Sequence, residues 1–190
     1  MKTCEACGLP APSSTLACAL CSEPFPNQGP ITYRLSTHEG RYRWYLEGEE
    51  VATAAWRDGT WDVRDTNSDR VAVTLIGVSN EARTRVAMVD HLSRVVATFI
   101  PGEAGADGVG LVRDSYDKVV MAVRDDGPTG THIIDTDGRV LAMASRLGGA
   151  RQQGLDLLLT RAGVRRTETI VFGVTLATEL LRQGQLSTVT

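Results

Sequence analysis

Residues 169–181 read TIVFGVTLATELL, an apolar run near the C-terminus that follows a long series of short, strand-like segments. Ile170, Val171, Phe172, Val174, Leu176, Ala177, Leu180 and Leu181 fall on nearly every side of a helical wheel, the pattern of a helix surrounded by protein. It is not a membrane span, which needs about 18 to 20 uninterrupted apolar residues. The run is shorter, encloses Glu179, and has Glu168 and Arg182 at its edges. Burying about eight such side chains at roughly 1.5–3 kcal/mol each contributes on the order of 10–20 kcal/mol before conformational entropy is charged against it. Thr167 or Thr169 suits the N-cap, and Gly184 suits the stop. The expectation is a helix over 168–182 that plugs a β-barrel, with a loose polar tail at 184–190.

Upstream, from Ile31 to about Arg161, segments of strand length alternate with turn signals. Tyr33–Leu35, Arg41–Leu46, Val51–Trp56 and Trp61–Val63 mix aromatic and β-branched residues with charged ones, and Gly40, Gly48 and Asp58-Gly59 break them. The Asp58-Gly59 pair suits a two-residue hairpin turn. Arg70–Val78 is the most continuous apolar strand and Leu155–Thr160 the last; between them Asn80–Asp90 also has helical spacing at Ala82, Val86 and Val89, and the repeat that follows favours a strand at Arg85–Val89. The three tryptophans, Trp44, Trp56 and Trp61, read as cross-strand packing. Residues 102–110, 127–130 and 147–154 read as glycine-containing loops.

Within this region the chain repeats itself. Residues 90–96 (DHLSRVV), 114–120 (DSYDKVV) and 135–141 (DTDGRVL) fit D-x-x-x-[RK]-V-[VL], with starts 24 and 21 residues apart, and 65–71 is a looser copy with one extra residue. Each copy reads as a strand end, a turn whose aspartate caps its own backbone, and a basic residue leading into a new strand. A hairpin unit at this period describes a meandering antiparallel sheet. About twelve strands without intervening helices point to closure, which removes the exposed edges. The fold class is therefore mainly β, a closed antiparallel barrel of about twelve strands around a buried apolar helix, with a small N-terminal zinc ribbon.

Such a barrel, with turns of the I-D-T-D-G-R-V-L-A kind and one apolar helix filling the lumen, resembles the tubby C-terminal-like superfamily. That group takes in the tubby proteins, the phospholipid scramblases and the LURP-one-related proteins, and the resemblance covers Ile31 to Arg182. It implies phosphoinositide binding on a basic surface in the tubby branch and an association with calcium in the scramblase branch. No phosphoinositide position carries over residue by residue. Asp135-Thr136-Asp137-Gly138 lacks the third acidic position and the terminal glutamate of an EF-hand.

All four cysteines lie in the first 21 residues, as Cys4, Cys7, Cys18 and Cys21 in two C-x2-C pairs. Two residues between thiolates let one turn present both sulfurs to a metal, and two such turns complete a tetrahedral Cys4 site for structural Zn2+. Gly8 suits the left-handed position of such a knuckle. A redox C-x-x-C pair, or iron in place of zinc, are the other readings of this array. A segment this short has almost no core, so zinc would supply its folding energy. The stretch resembles the short zinc ribbons at the N-termini of many prokaryotic proteins. The expected organisation is a ribbon at 1–24, a proline-rich linker at 25–30, the barrel at 31–183 and the tail.

Of the 190 residues 42% are hydrophobic and 23% charged, which describes a globular protein, and the net charge of -3 argues against a general nucleic-acid binder. The N-terminus lacks an apolar stretch of signal-peptide length, and the expected location is the cytoplasm, or the membrane periphery under the lipid-binding alternative given below. His38, His91 and His132 are scattered and lie in or beside turns, without the H-E-x-x-H spacing, and there is no G-x-S-x-G elbow. The most suggestive cluster is Arg151, Arg161, Arg165 and Arg166, placed to hold a lipid phosphate or an acidic partner if they converge on one rim. The reading is a non-enzymatic adaptor with protein partners. The alternative is a peripheral membrane module that binds anionic phospholipid or phosphoinositide, and a hydrolase assembled from distant turns comes third.

Overall fold

The structure, a computed structural model, describes residues 2, 3, 8, 10, 11, 20, 31–38, 40–66, 68–80, 83–102, 108–125, 130–146, 154–160, 168–186, 188 and 189. Two short strands, β1 (Lys2–Thr3) and β2 (Pro10–Ala11), pair antiparallel near the N-terminus. Twelve strands then follow: β3 (Ile31–His38), β4 (Arg41–Leu46), β5 (Glu49–Arg57), β6 (Thr60–Asp65), β7 (Val71–Asn80), β8 (Arg83–Val89), β9 (Val95–Pro101), β10 (Gly108–Asp114), β11 (Val119–Asp125), β12 (Thr131–Asp135), β13 (Val140–Arg146) and β14 (Gly154–Leu159). Helix α1 (Glu168–Arg182) and a two-residue strand β15 (Thr188–Val189) complete the chain.

Each of the twelve strands pairs antiparallel with its neighbours in sequence, and β14 closes the ring by pairing with β3, from Gly154↔Ser36 to Leu159↔Ile31. Each barrel strand thus has a partner strand on both sides, which leaves no open edge strand. Period-2 alternation sends one side chain in two to the lumen: Tyr33 and Leu35, Tyr42 and Trp44, Val73 and Leu75, and Leu155, Leu157 and Leu159 are all buried. The two-residue turns are set by left-handed pairs, Glu47-Gly48 between β4 and β5 and Asp58-Gly59 between β5 and β6.

Helix α1 fills the lumen. Val171, Val174, Leu176, Ala177 and Leu180 have no exposed surface. Phe172 meets Tyr33 edge-on at 4.9 Å between ring centroids and Trp44 at 5.7 Å. The helix packs most closely against β7, β8 and β9. There Gly173 permits the approach: a Cβ on it would lie 3.0 Å from Met88 Sδ and 3.4 Å from a Leu75 methyl. Gly184, at φ +65°, ends the helix as its sequence position suggested. Its N–H bonds the Leu181 carbonyl and the Gln185 N–H bonds that of Leu180, a Schellman arrangement.

Three local expectations change. Residues 184–190 are not simply a loose tail, because Thr188–Val189 pairs parallel with β7 at Gly77 and Val78, just beyond the point where β6 stops at Trp61↔Leu75. Gly108 and Gly110, read as loop, belong to β10, where Gly110 lies beneath the Phe99 ring. His132, read as lying in or beside a turn, is the second residue of β12.

Candidate functional site

Because the sheet is a meander, alternate connections lie at alternate ends of the barrel. All four aspartate turns fall at one end, together with the β4–β5 turn; the other end carries the β3–β4, β5–β6, β7–β8, β9–β10, β11–β12 and β13–β14 connections. The three regular repeats have the same bonding. Oδ1 of Asp90 accepts from the amides of Leu92 and Arg94, that of Asp114 from Tyr116 and Lys118, and that of Asp135 from Asp137 and Arg139, all at 2.8–3.0 Å. The residue before each basic position is left-handed: Ser93, Asp117 and Gly138, with Asp69 in the looser copy. In that copy Asp65 accepts from the Ser68 amide and hydroxyl. The repeat aspartates are caps, as their recurrence implied. The Arg94 guanidinium, bonded to Asp90 through Nε and Nη2 at 2.9 and 2.7 Å, holds that carboxyl down to about 2.

Capping leaves the turn tips stiff and projecting, and two of them carry apolar side chains in the same repeat position. Tyr116 is 90% exposed and Leu92 57% exposed, on the adjoining β10–β11 and β8–β9 turns, and Val95 beside Leu92 is also exposed. Carboxylates stand beside and around them: Asp117 next to Tyr116, and Asp69 and Asp137 on the flanking β6–β7 and β12–β13 turns, are largely in solvent and face Arg113, Arg64 and Arg139 at 3.5–3.7 Å. Such exposed pairs are screened and weak. Beside the Leu92 turn lies an open depression of about 510 Å3, bordered by Asp62, Arg70, Thr74, Asp90, His91 and Ser93. It places a histidine near two carboxylates, but both carboxylates are engaged. Asp90 caps its turn, and Asp62 accepts the Thr74 hydroxyl at 2.8 Å and faces Arg64 at 3.7 Å. This rim is the candidate site.

The opposite end holds a second feature, a cavity of about 100 Å3 between α1 and the strands β11–β14. At this end the Tyr42 hydroxyl bonds Gln183 and Gln185, and burial, then the nearby Glu179, push its pKa up to about 12 against the opposing pull of Arg182. Glu179 in turn accepts from Arg182 and Gln183, which raises the Arg182 pKa.

Cys4, Cys7, Cys18 and Cys21, and Arg151, Arg161, Arg165 and Arg166, lie outside the described residues, as do residues 25–30. Around the first cysteine pair the described residues are informative. β1 and β2 pair as Lys2↔Ala11 and Thr3↔Pro10, bracketing 4–9, and Gly8 is left-handed at φ +73°. That hairpin fits the frame a C-x2-C-G zinc knuckle requires. Sequence reasoning passed over Leu92 and Tyr116, although their shared place in the repeat was visible.

No protein family matches the chain, and no curated protein matches it. Among solved structures, an X-ray structure of a protein from Arabidopsis thaliana matches with a TM-score of 0.55 and 13% sequence identity, covering 82% of this chain and 92% of that one. At that identity the likeness shows a shared fold. No helix among the described residues is long and apolar enough to cross a membrane.

Proposed function

We propose that this chain is a non-enzymatic binding or adaptor protein, a Cys4 zinc ribbon joined to a helix-plugged barrel of the tubby C-terminal-like kind. One observation carries the reading: Tyr116 and Leu92 project from adjoining capped turns of one rim, with the exposed Val95 at the start of β9 beside them. A backbone already fixed by caps spares the ordering of the turn on binding, and aromatic side chains dominate interface energies. The exposed Asp69, Asp117 and Asp137 around them suit a protein partner with an apolar patch edged by basic groups. Zn2+ would be held by Cys4, Cys7, Cys18 and Cys21 and would stabilise the ribbon, a reading supported by the pairing of Lys2–Thr3 with Pro10–Ala11 on either side of the first cysteine pair.

Vesicle co-sedimentation separates this reading from the lipid alternative. The full chain is expected to stay in the supernatant with anionic and neutral vesicles alike, at low and at physiological salt. Binding to anionic vesicles alone, lost in an Arg165→Ala, Arg166→Ala variant, would replace the adaptor by a peripheral membrane module.

A further inference from the structure

Strand β7 has ten residues and outruns β6, which has six. Its pairing with β8 continues to Asn80↔Arg83, whereas its pairing with β6 stops at Trp61↔Leu75, where the chain is about to turn back into β5 through the left-handed Asp58-Gly59 pair. Past Leu75, the side of β7 that β6 vacates presents backbone groups that no other strand of the ring takes up. Residues 188–189 cover part of this edge, running parallel to β7 with Thr188 at Gly77 and Val189 at Val78. Val78 is still 42% exposed.

This covering strand is fixed at its root and weakly along its length. The Gln185 amide bonds the Leu180 carbonyl, the Gln183 and Gln185 side chains bond Tyr42, and Leu186 packs against the core. Beyond that anchor two residues pair with β7. So short a strand closes too few backbone bonds to offset the ordering of its own residues, and it opens at little cost. Its opening leaves the ring intact, because β14 and β3 close that.

The present occupant shows what the edge accepts: an extended backbone running in the direction of β7, with β-branched side chains at two successive positions. Ile76, Gly77, Val78 and Ser79 carry no charge, so the edge selects by backbone pairing and shape. A second copy is a poor donor of the same strand. The two residues from Leu186 to Thr188 span at most about 7 Å, too little to carry the strand from one barrel to another.

We infer that the β7 edge at Ile76–Ser79 is a strand-addition seat for an extended segment of another protein, which enters parallel to β7 with uncharged β-branched residues beside Gly77 and Val78 and displaces the chain's own residues 188–189. The seat lies at the barrel end opposite the aspartate turns, and nothing in this inference rests on the docking rim.

The test is a titration of the full chain and of its Val189→Pro variant with the peptide acetyl-QLSTVT-amide, the sequence of residues 185–190, read by NMR and amide hydrogen exchange. Proline at 189 removes a backbone donor and frees the edge. In Val189→Pro the peptide should give saturable shifts centred on Gly77 and Val78 and slower exchange along Ile76–Ser79. It should bind the unaltered chain about tenfold more weakly, as for a seat open about a tenth of the time. Acetyl-QLSTPT-amide should give no response. Val189→Pro should melt as the unaltered chain does; if it does not, Thr188→Gly, which weakens the same strand, takes its place. The inference is overturned by the absence of a saturable response in the opened variant, by shifts centred away from β7, or by equal affinity for the two chains. Protection of Ile76–Ser79 that grows with protein concentration in the absence of peptide would give the seat to a second copy and overturn the partner reading.

Discussion

The hydroxyl of Tyr42, on β4, donates to Oε1 of Gln183 across 2.9 Å, one residue beyond the end of α1, and Gln185 Oε1 lies 2.8 Å from the same oxygen. The exit of the plug is thereby tied to the barrel wall. Tyr42 is raised to about 12 from an ordinary 10, first by burial and then by Glu179. Below pH 10 both folded and unfolded chains keep the proton, and the stabilisation is whole. Between pH 10 and 12 the unfolded chain releases it while the folded chain does not, so stability falls, by roughly 2–3 kcal/mol. Urea unfolding at pH 9, 11 and 12 should show this loss, and in Tyr42→Phe the loss should be smaller.

The capped turns make a second prediction. Asp135→Ala removes the acceptor of two backbone amides and should cost about 1–2 kcal/mol of unfolding free energy, measured in urea. Asp90 responds to acid in the opposite sense to Tyr42. Its carboxyl is held down to about 2 by the Arg94 guanidinium, so its contribution is present above the ordinary carboxylate range and lost as pH falls from about 4 towards 2. An Asp90→Asn variant should have a flatter stability profile over that interval.

Phe172 sits against Tyr33 and Trp44 inside the barrel. Phe172→Arg places a charge in an apolar lumen and should abolish the cooperative thermal transition. Gly173→Leu overpacks the contact with Met88 and Leu75 and should cost about 1–3 kcal/mol. A normally melting Phe172→Arg protein would show that the helix is not the plug.

Cys18→Ser should release zinc, measured by metal analysis of the purified protein, while the barrel melts at an unchanged temperature. A common fall in both would show that ribbon and barrel do not fold independently.

Local signals carried most of the architecture. The D-x-x-x-[RK]-V repeat specified the hairpins and their aspartate caps, because an aspartate reaches only its own turn; which amides each cap takes is seen in the structure. The apolar stretch 169–181 specified the plug, and Gly184 its end. Thr175, Thr178 and Glu179 were legible as residues, but that they face β11–β14 follows only from the packing of Gly173 against Leu75 and Met88 on the other side of the helix. The pairing of Thr188 with Gly77 depends on where β6 stops, a non-local fact. Leu92 and Tyr116 are ordinary turn residues by composition, and only the meander sets them on the same rim.

The docking rim is tested most directly by site-specific photocrosslinking in cells, with a benzophenone side chain at position 116, at position 92, and at position 45 on the barrel wall as control. The account predicts one and the same protein adduct at 116 and 92, absent at 45, and lost from 116 when Leu92→Asp is introduced. Equal adducts at all three positions, or adducts to lipid alone at 116, would contradict it.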